Sequence, residues 1–456
     1  MKIVIIGAGS LRTPLILQTL LASQNELGID EITLMDIDED RLLMVKPLTV
    51  QLEIENSPRI TFVRTTDLVK ALISANFVIT VFRAGGMEAR ITDERVPLGY
   101  GVLGHEFIGA GGFSLGIRSL PIMMELVKLM ELFCPSAWLI NLCQPVAMLT
   151  EAIFRHTRWH KIVGISNSCA ALSHIISFAL KTVPDKLKLQ YSGYSHLGWI
   201  NEIQFQGKFW LQDVIRSTIE SGEMPGLLYT PQDLEVLNLI PNENLYFYYH
   251  TQHAIENILT EGRTRAEQIQ DANDNLFRLL RKAIEIGNDQ IAQDAYDMYI
   301  FQRSQSHMAI EANNKKNAAQ VFNSALIIKD QNSDSINTIG LLIKSLQQSQ
   351  PQTLLLNVPN QGSIESMDNS TIVEVPCEIH NNEIHPLPVK NFPENCLKLM
   401  NNVHKSELLT TEAAIEHSYV KALQALITHP LVNDSRLASD ILDTYIEKHS
   451  DFPQLR

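Results

Sequence analysis

Residues 2–6 are apolar after Lys2 and rich in β-branched side chains, the pattern of a strand covered on both faces. Gly7, Ala8, Gly9 and Ser10 follow, and residues 13–23 then take helical spacing, with Pro14 tolerated in the first turn. Residues 31–36 predict a second strand that ends in an acid, Asp36. Residues 76–82 and 137–142 are further apolar strands, and helical spacing fills the intervals, notably over 120–133. Strands alternating with helices predict a parallel, doubly wound sheet of the Rossmann type.

Past residue 165 the pattern changes. Strand-like pieces at 187–191 and 203–205 are set among long helical patterns, of which 263–286 is the clearest. Residues 332–352 are rich in Ser, Asn and Gln, yet 336–346 keep helical spacing and predict an ordered helix with polar flanks. The tail predicts two helices, 410–428 and 434–448. There is no internal repeat, low-complexity tract or clean linker. The expected fold class is α/β: a Rossmann-like domain over residues 1–165 joined to an α+β substrate and oligomerisation domain over 166–456.

The chain of 456 residues carries a net charge of −14, which argues against nonspecific binding to nucleic acid or an anionic membrane. Its five cysteines, Cys134, Cys143, Cys169, Cys377 and Cys396, are scattered and odd in number. That spacing suits a reducing, cytoplasmic setting and no disulfide framework. The first residues read as a strand and not an apolar leader, and no long apolar run predicts a membrane span.

Two glycine regions carry candidate chemistry. Gly7-x-Gly9 lies between a strand and a helix, where backbone must pass close to a pyrophosphate, with Ser10 beside it. Arg12 stands where the usual fingerprint has a third glycine. Asp36 at the end of the second strand would accept from ribose hydroxyls and repel a 2′-phosphate, favouring NAD over NADP. The second region, 83–118, holds nine glycines together with Arg83, Gly85, Arg90, Asp93, Glu94, Arg95, His105, Glu106 and Arg118. It follows a strand at the carboxyl edge of the sheet and reads as a functional glycine-rich loop.

These stretches resemble glycoside hydrolase family 4, most of all its 6-phospho-β-glucosidase branch. The resemblance rests on IGAGS with TP at 5–14, MDID at 35–38, FRAGG at 82–86 and ITDERVPLGYGVLGHEFIGAGGFSLGIR at 91–118. It continues through PVAMLTEA at 145–152, VGISN at 163–167, YSGYSHL at 191–197, RTRAE at 263–267, NQGSIES at 360–366, VEVPC at 373–377 and ALITHPL at 425–431. The resemblance implies a glycosidase that does not use the ordinary carboxylate pair. NAD would oxidise the sugar 3-hydroxyl, and a divalent metal of the manganese type would polarise the ketone. A tyrosine would take the C2 proton, the glycosidic bond would be eliminated, and water and hydride would be added back. It also implies a small-molecule glycoside substrate, anionic or otherwise modified, and a homodimer or homotetramer.

Residue by residue, the resemblance makes Arg90 a substrate-binding arginine, whose planar donors suit a phosphate or carboxylate. It makes Glu106 an acid that tunes the base, His196 a metal ligand and Asn167 a neighbour of the metal site. Four positions depart from the family pattern: Gln144 stands for a substrate-binding asparagine, Ser166 for a metal-binding cysteine, Ser195 for an asparagine, and Asn244 for the tyrosine base. A neutral hydroxyl is a poor ligand beside a thiolate, so Cys143 and Cys169 become candidate replacements. Tyr246, Tyr248 and Tyr249 become candidate bases, and His105 a candidate general base near neutral pH. Arg265 is a further candidate for the substrate anion, and Lys315, Lys316 and Asn317 replace a glycine-containing helix start. Two other functions fit the nucleotide motif: a sugar C3 dehydrogenase without bond cleavage, and a non-catalytic NAD-binding regulator.

Overall fold

A computed structural model describes residues 1–57, 59–166, 169–313, 325–390 and 392–456. Asn167 and residues 315–317 lie outside the described residues. Among those described, thirteen strands form one sheet. Its parallel half runs β3 (Thr61–Thr65), β2 (Glu31–Met35), β1 (Lys2–Ile6), β4 (Phe77–Thr80), β5 (Trp138–Asn141), β6 (Ile162–Gly164). This is the doubly wound order, with β1 buried on both sides as its apolar run requires.

The sheet does not stop at β6. Asn357 of β11 (Gln352–Pro359) pairs antiparallel with Gly164, and β11 forms a ribbon with β12 (Ile372–His380). β12 then pairs with β7 (Lys188–Tyr194), which turns back into β8 (Leu197–Phe205). The short strands β9 (Lys208–Phe209), β10 (Ile240–Pro241) and β13 (Glu383–Pro386) complete it. The change of texture near residue 165 thus falls where the sheet passes from parallel to antiparallel. The ribbon of β11 and β12 has no counterpart in the pattern reading, because its pairing partners are distant in sequence.

The end of the chain returns to the first half. Ala413, Ala425, Leu426, Ile441 and Tyr445 share a core with Val4, Ile6, Val78 and Leu139 on one face of the parallel sheet. The expected single helix over 410–428 is two: Glu394–Glu416 ends at His417, whose φ of 55° is left-handed, and Ser418 caps Tyr419–Thr428. Neither glycine nor proline marks this break.

Residues 83–118 are not a loop. They form the helix Gly86–Gly99, a short connection, and the first turns of the helix Gly109–Phe133. The glycines serve close packing. A Cβ at Gly104 would lie 1.9 Å from the Glu94 carbonyl oxygen, and one at Gly111 would lie 1.8 Å from that of His105. A helical pair, Arg265–Ile286 and Asp289–Gln305, packs Leu276, Leu280 and Tyr296 against Leu48. The Tyr296 hydroxyl donates to the Leu11 carbonyl at 2.6 Å and ties this pair to the glycine turn.

Gly111→Ala is expected to destabilise the protein by about 2–3 kcal/mol, because backbone and not a flexible side chain blocks the new methyl. Chemical denaturation of the variant beside the parent measures this. An unchanged midpoint would remove the packing argument for the block.

Candidate active site

The first glycine turn is built against the ends of β1 and β2. The N–H groups of Gly7 and Ala8 both donate to the Met35 carbonyl at 2.9 Å. Gly7 has a φ of 89°, and a Cβ there would lie 2.6 Å from the Phe82 backbone nitrogen. Gly9 donates its N–H to Asp36 Oδ2 at 2.8 Å, and the Asp38 N–H reaches Oδ1 at 3.1 Å. Two of the carboxylate's acceptor sites are thereby used and two are left for a ligand. Ile37 is 89% exposed beside it. No side chain caps the helix Thr13–Ala22, which starts at Arg12. Gly7, Gly9, Ser10 and Asp36 therefore sit together at the carboxyl edge of the sheet, and they fit a dinucleotide.

Arg83 and Gly85 follow β4 at the same edge. Arg83 pairs with Glu106, and Arg90 Nη1 reaches the same carboxylate oxygen at 2.9 Å. Arg90, 3% exposed, also pairs through Nε with Glu94 at 2.9 Å, and Glu94 accepts the Ala266 N–H at 2.8 Å. Burial alone would raise the pKa of Glu106, but Arg90 and Arg83 overcome it and hold the acid well below the ordinary range. Arg265 bonds the Ser306 carbonyl and lies in the field of Arg90 and Glu106. Arg83 Nη1 and Arg90 Nη2 are buried without a hydrogen-bond partner among the described residues. Unpaired guanidinium nitrogens beside an ionised acid are a place for an anion.

His105 packs its ring against Phe107 and Phe247, with centroids 4.6 and 4.5 Å away. Burial, aided by Arg90 and Arg265, lowers its pKa to about 3. It is neutral at pH 7 and a weaker base than an ordinary histidine, which corrects the expectation of a base poised near neutrality.

His196 and Ser195 are the two central residues of the turn between β7 and β8, both left-handed, with φ of 70° and 45°. Ser195 donates to Glu407, which also accepts from Tyr194 at 2.7 Å. His196 Nε2 lies 2.7 Å from Gln144 Oε1. Ser166 donates to Glu374, and Tyr191 does so at 3.2 Å. Burial pushes the Cys143 thiol up to about 12, so it is no thiolate at neutral pH. Among the described residues no three His, Cys, Asp or Glu side chains form a metal-holding group. His196 Nε2 and the Ser166 hydroxyl, expected as ligands, are each hydrogen-bonded to another side chain, Gln144 and Glu374.

The tyrosines disperse. The Tyr246 hydroxyl pairs with His253 at 2.7 Å, and Asp233 is the charged group that bears on it. Tyr248 lines a small cavity with Phe107, Ser195 and Glu407. Tyr249 accepts from Trp199 at 3.1 Å. None bonds to the Arg90–Glu106 cluster. Sequence reasoning missed Glu374 and Glu407. Glu374 had a signal, an acid between Val373 and Val375 in an otherwise apolar run, whereas Glu407 looks like any exposed helix acid.

Acid sensitivity follows from the buried groups. His105, His196 and His429 are held near 3, 4 and 3, chiefly by burial, against an ordinary 6.5. Burial raises Glu407 to about 7 from an ordinary 4.5. As pH falls from 6.5 to 4.5 the unfolded chain protonates the three histidines first, while the folded chain already holds the Glu407 proton. Unfolding then takes up about two protons, and stability falls by roughly 3 kcal/mol per pH unit. Denaturant titrations at pH 7, 6 and 5 test this, and a flat profile would contradict it.

The profile of the family 4 glycosyl hydrolases matches residues 2–182, and that of the family's C-terminal domain matches 191–432. The chain is 30% identical to a probable 6-phospho-beta-glucosidase of Bacillus subtilis, over 99% of this chain and 97% of that one. It superposes with a TM-score of 0.82 and 25% identity, over the whole of both chains, on a 6-phospho-beta glucosidase from Thermotoga maritima with NAD and glucose-6-phosphate. A 6-phospho-alpha-glucosidase from gut microorganisms, in complex with NAD and Mn2+, gives 0.83 at 25% identity over 100% and 99% of the two chains. No helix among the described residues is long and apolar enough to cross a membrane. The chain belongs to the family 4 glycosyl hydrolases.

Proposed function

We propose that this protein is an NAD-dependent glycosidase acting on an anionic glycoside, with a 6-phosphoglycoside as the first candidate. The observation that carries the reading is the convergence of Arg83 and Arg90 on Glu106, with guanidinium nitrogens left unpaired, at the edge that also bears the dinucleotide turn. The names of the relatives support phosphate as the anion.

Gly7, Gly9 and Ser10 would pass the pyrophosphate, Asp36 would take the ribose hydroxyls, and Ile37 would offer the adenine an apolar face. When bound, NAD supplies a hydride acceptor at the sugar's C3 whose hydride is returned before product leaves. Arg90, and Arg265 beside it, bind the substrate anion. Glu106, fixed between two guanidiniums, stays ionised and orients them. His105 is neutral, and its Nδ1 accepts the Phe107 N–H at 3.4 Å, so Nε2 carries the hydrogen and offers a donor. The cytoplasm is the proposed setting and a homodimer or homotetramer the proposed assembly.

The test is a chromogenic 6-phosphoglycoside with substoichiometric NAD. Aglycone released in excess over the NAD added, with no net NADH, supports the reading. Net NADH without aglycone assigns the sugar C3 dehydrogenase instead, and NAD binding without either product on a broad glycoside panel assigns the non-catalytic regulator. Arg90→Lys is expected to lower kcat/KM for the anionic substrate about 100-fold, since a point charge replaces a planar fork, while NAD affinity stays unchanged.

A further inference from the structure

We propose that Gln144 closes Nε2 of His196 to a metal and that, with Ser166 where the resemblance has a thiolate, this chain holds no divalent metal at the position where its family resemblance places one. Its catalytic consequence, turnover without a metal, rests on the glycosidase reading above; the binding claim stands without it.

The Gln144 amide turns its oxygen, not its nitrogen, toward the histidine. The backbone N–H of Val146 donates to Gln144 at 3.1 Å, and a backbone N–H can only donate, so the atom it meets is the oxygen. That same oxygen lies 2.7 Å from His196 Nε2. It cannot donate, so Nε2 must carry the hydrogen. A protonated ring nitrogen has no lone pair for a metal, so of this ring only Nδ1 keeps one. The reference asparagine is one methylene shorter than Gln144, so the replacement itself supplies the reach.

The ring is also prevented from turning away. His196 occupies a two-residue turn whose register is set by β7 and β8. Its carbonyl accepts from Asn242 at 2.8 Å, and its ring lies 4.2 Å from that of Phe107. Tyr194 and Ser195 are both held by Glu407 from the helix behind. Flipping the imidazole to free Nε2 would leave a buried amide oxygen short of a partner.

The second expected ligand fails for a different reason. Ser166 gives its hydroxyl hydrogen to Glu374, a carboxylate 1% exposed, and supplies no negative charge. Gln144 thus closes Nε2 and Ser166 removes the thiolate, which leaves the neutral Nδ1 of His196 as the one expected donor, too little to retain a divalent ion.

The experiment uses the full chain with selectively 15N-labelled histidine and Mn2+ or Co2+ as probe. The parent is expected to show His196 as the Nε2–H tautomer, unbroadened by Mn2+, and to retain no stoichiometric metal after gel filtration. The paired variant Gln144→Asn with Ser166→Cys is expected to gain about one equivalent of Co2+, with a thiolate-to-cobalt absorption band. Gln144→Asn alone, which keeps the sheet intact, is expected to make the His196 signals sensitive to Mn2+.

Stoichiometric Mn2+ on the parent that is lost in His196→Ala would overturn the proposal. So would a folded paired variant that binds no cobalt. Where the parent turns over a glycoside, activity unchanged by EDTA supports the proposal, and activity lost in EDTA and restored by Mn2+ overturns it. Absence of turnover on every glycoside would count against the glycosidase reading alone, because the tautomer and metal titrations need no substrate.

Discussion

The carboxylate of Asp93 and the guanidinium of Arg118 lie wholly out of water, joined by two hydrogen bonds of 2.9 and 2.7 Å. Taking both charges out of water costs several kcal/mol, so the pair persists only because its remaining valences are filled. Asp93 also meets His449 at 3.0 Å, and Arg118 reaches the carbonyls of Ala84 and Ser114 at 3.0 Å each. The Tyr445 hydroxyl closes on the Asp93 carbonyl at 2.8 Å. These bonds fix the helix Gly86–Gly99, the turn after β4 and the last helix of the chain in one frame. Arg90 stands one helical turn before Asp93, and its aim at Glu106 is inherited from that frame.

The site is thus layered by burial. Asp93 and Arg118 hold the scaffold, Arg83, Arg90 and Glu106 present charge to the cleft, and the Ser195–His196 turn faces them from the antiparallel half. Among the described residues of the two charged layers each group has a named partner, yet two guanidinium nitrogens beside Glu106 are left without one. That exception separates a binding surface from a structural ion-pair network.

The opening strand, turn and helix were legible because their signals are local: a β-branched run, two glycines and an acid at the next strand's end. The place of β11 and β12 in the sheet was not, since their outer partners β6 and β7 lie far away in sequence and leave no periodic mark. Residues 83–118 misled for an instructive reason. Glycine at Gly104, Gly111 and Gly112 signals helix and loop backbones pressed together, not a mobile loop. The break at His417 carried no punctuating residue at all. Within the site, residue types predicted which groups bear charge, but not that Tyr246 would bond to His253 or that Glu374 would take up Ser166, because those pairings are set by tertiary packing.

One sheet runs from β3 through β6 and β11 to β8, its two halves joined where Asn357 pairs with Gly164, and the tail helices bind the end of the chain back to its beginning. Chemistry in such a frame can change by exchanging side chains at fixed backbone stations, much as type is reset in a locked frame. Gln144, Ser166 and Ser195, where the sequence departs from the pattern its resemblance implies, stand just past β5 and β6 and on a two-residue turn, places where a new side chain leaves the course of the strands unchanged.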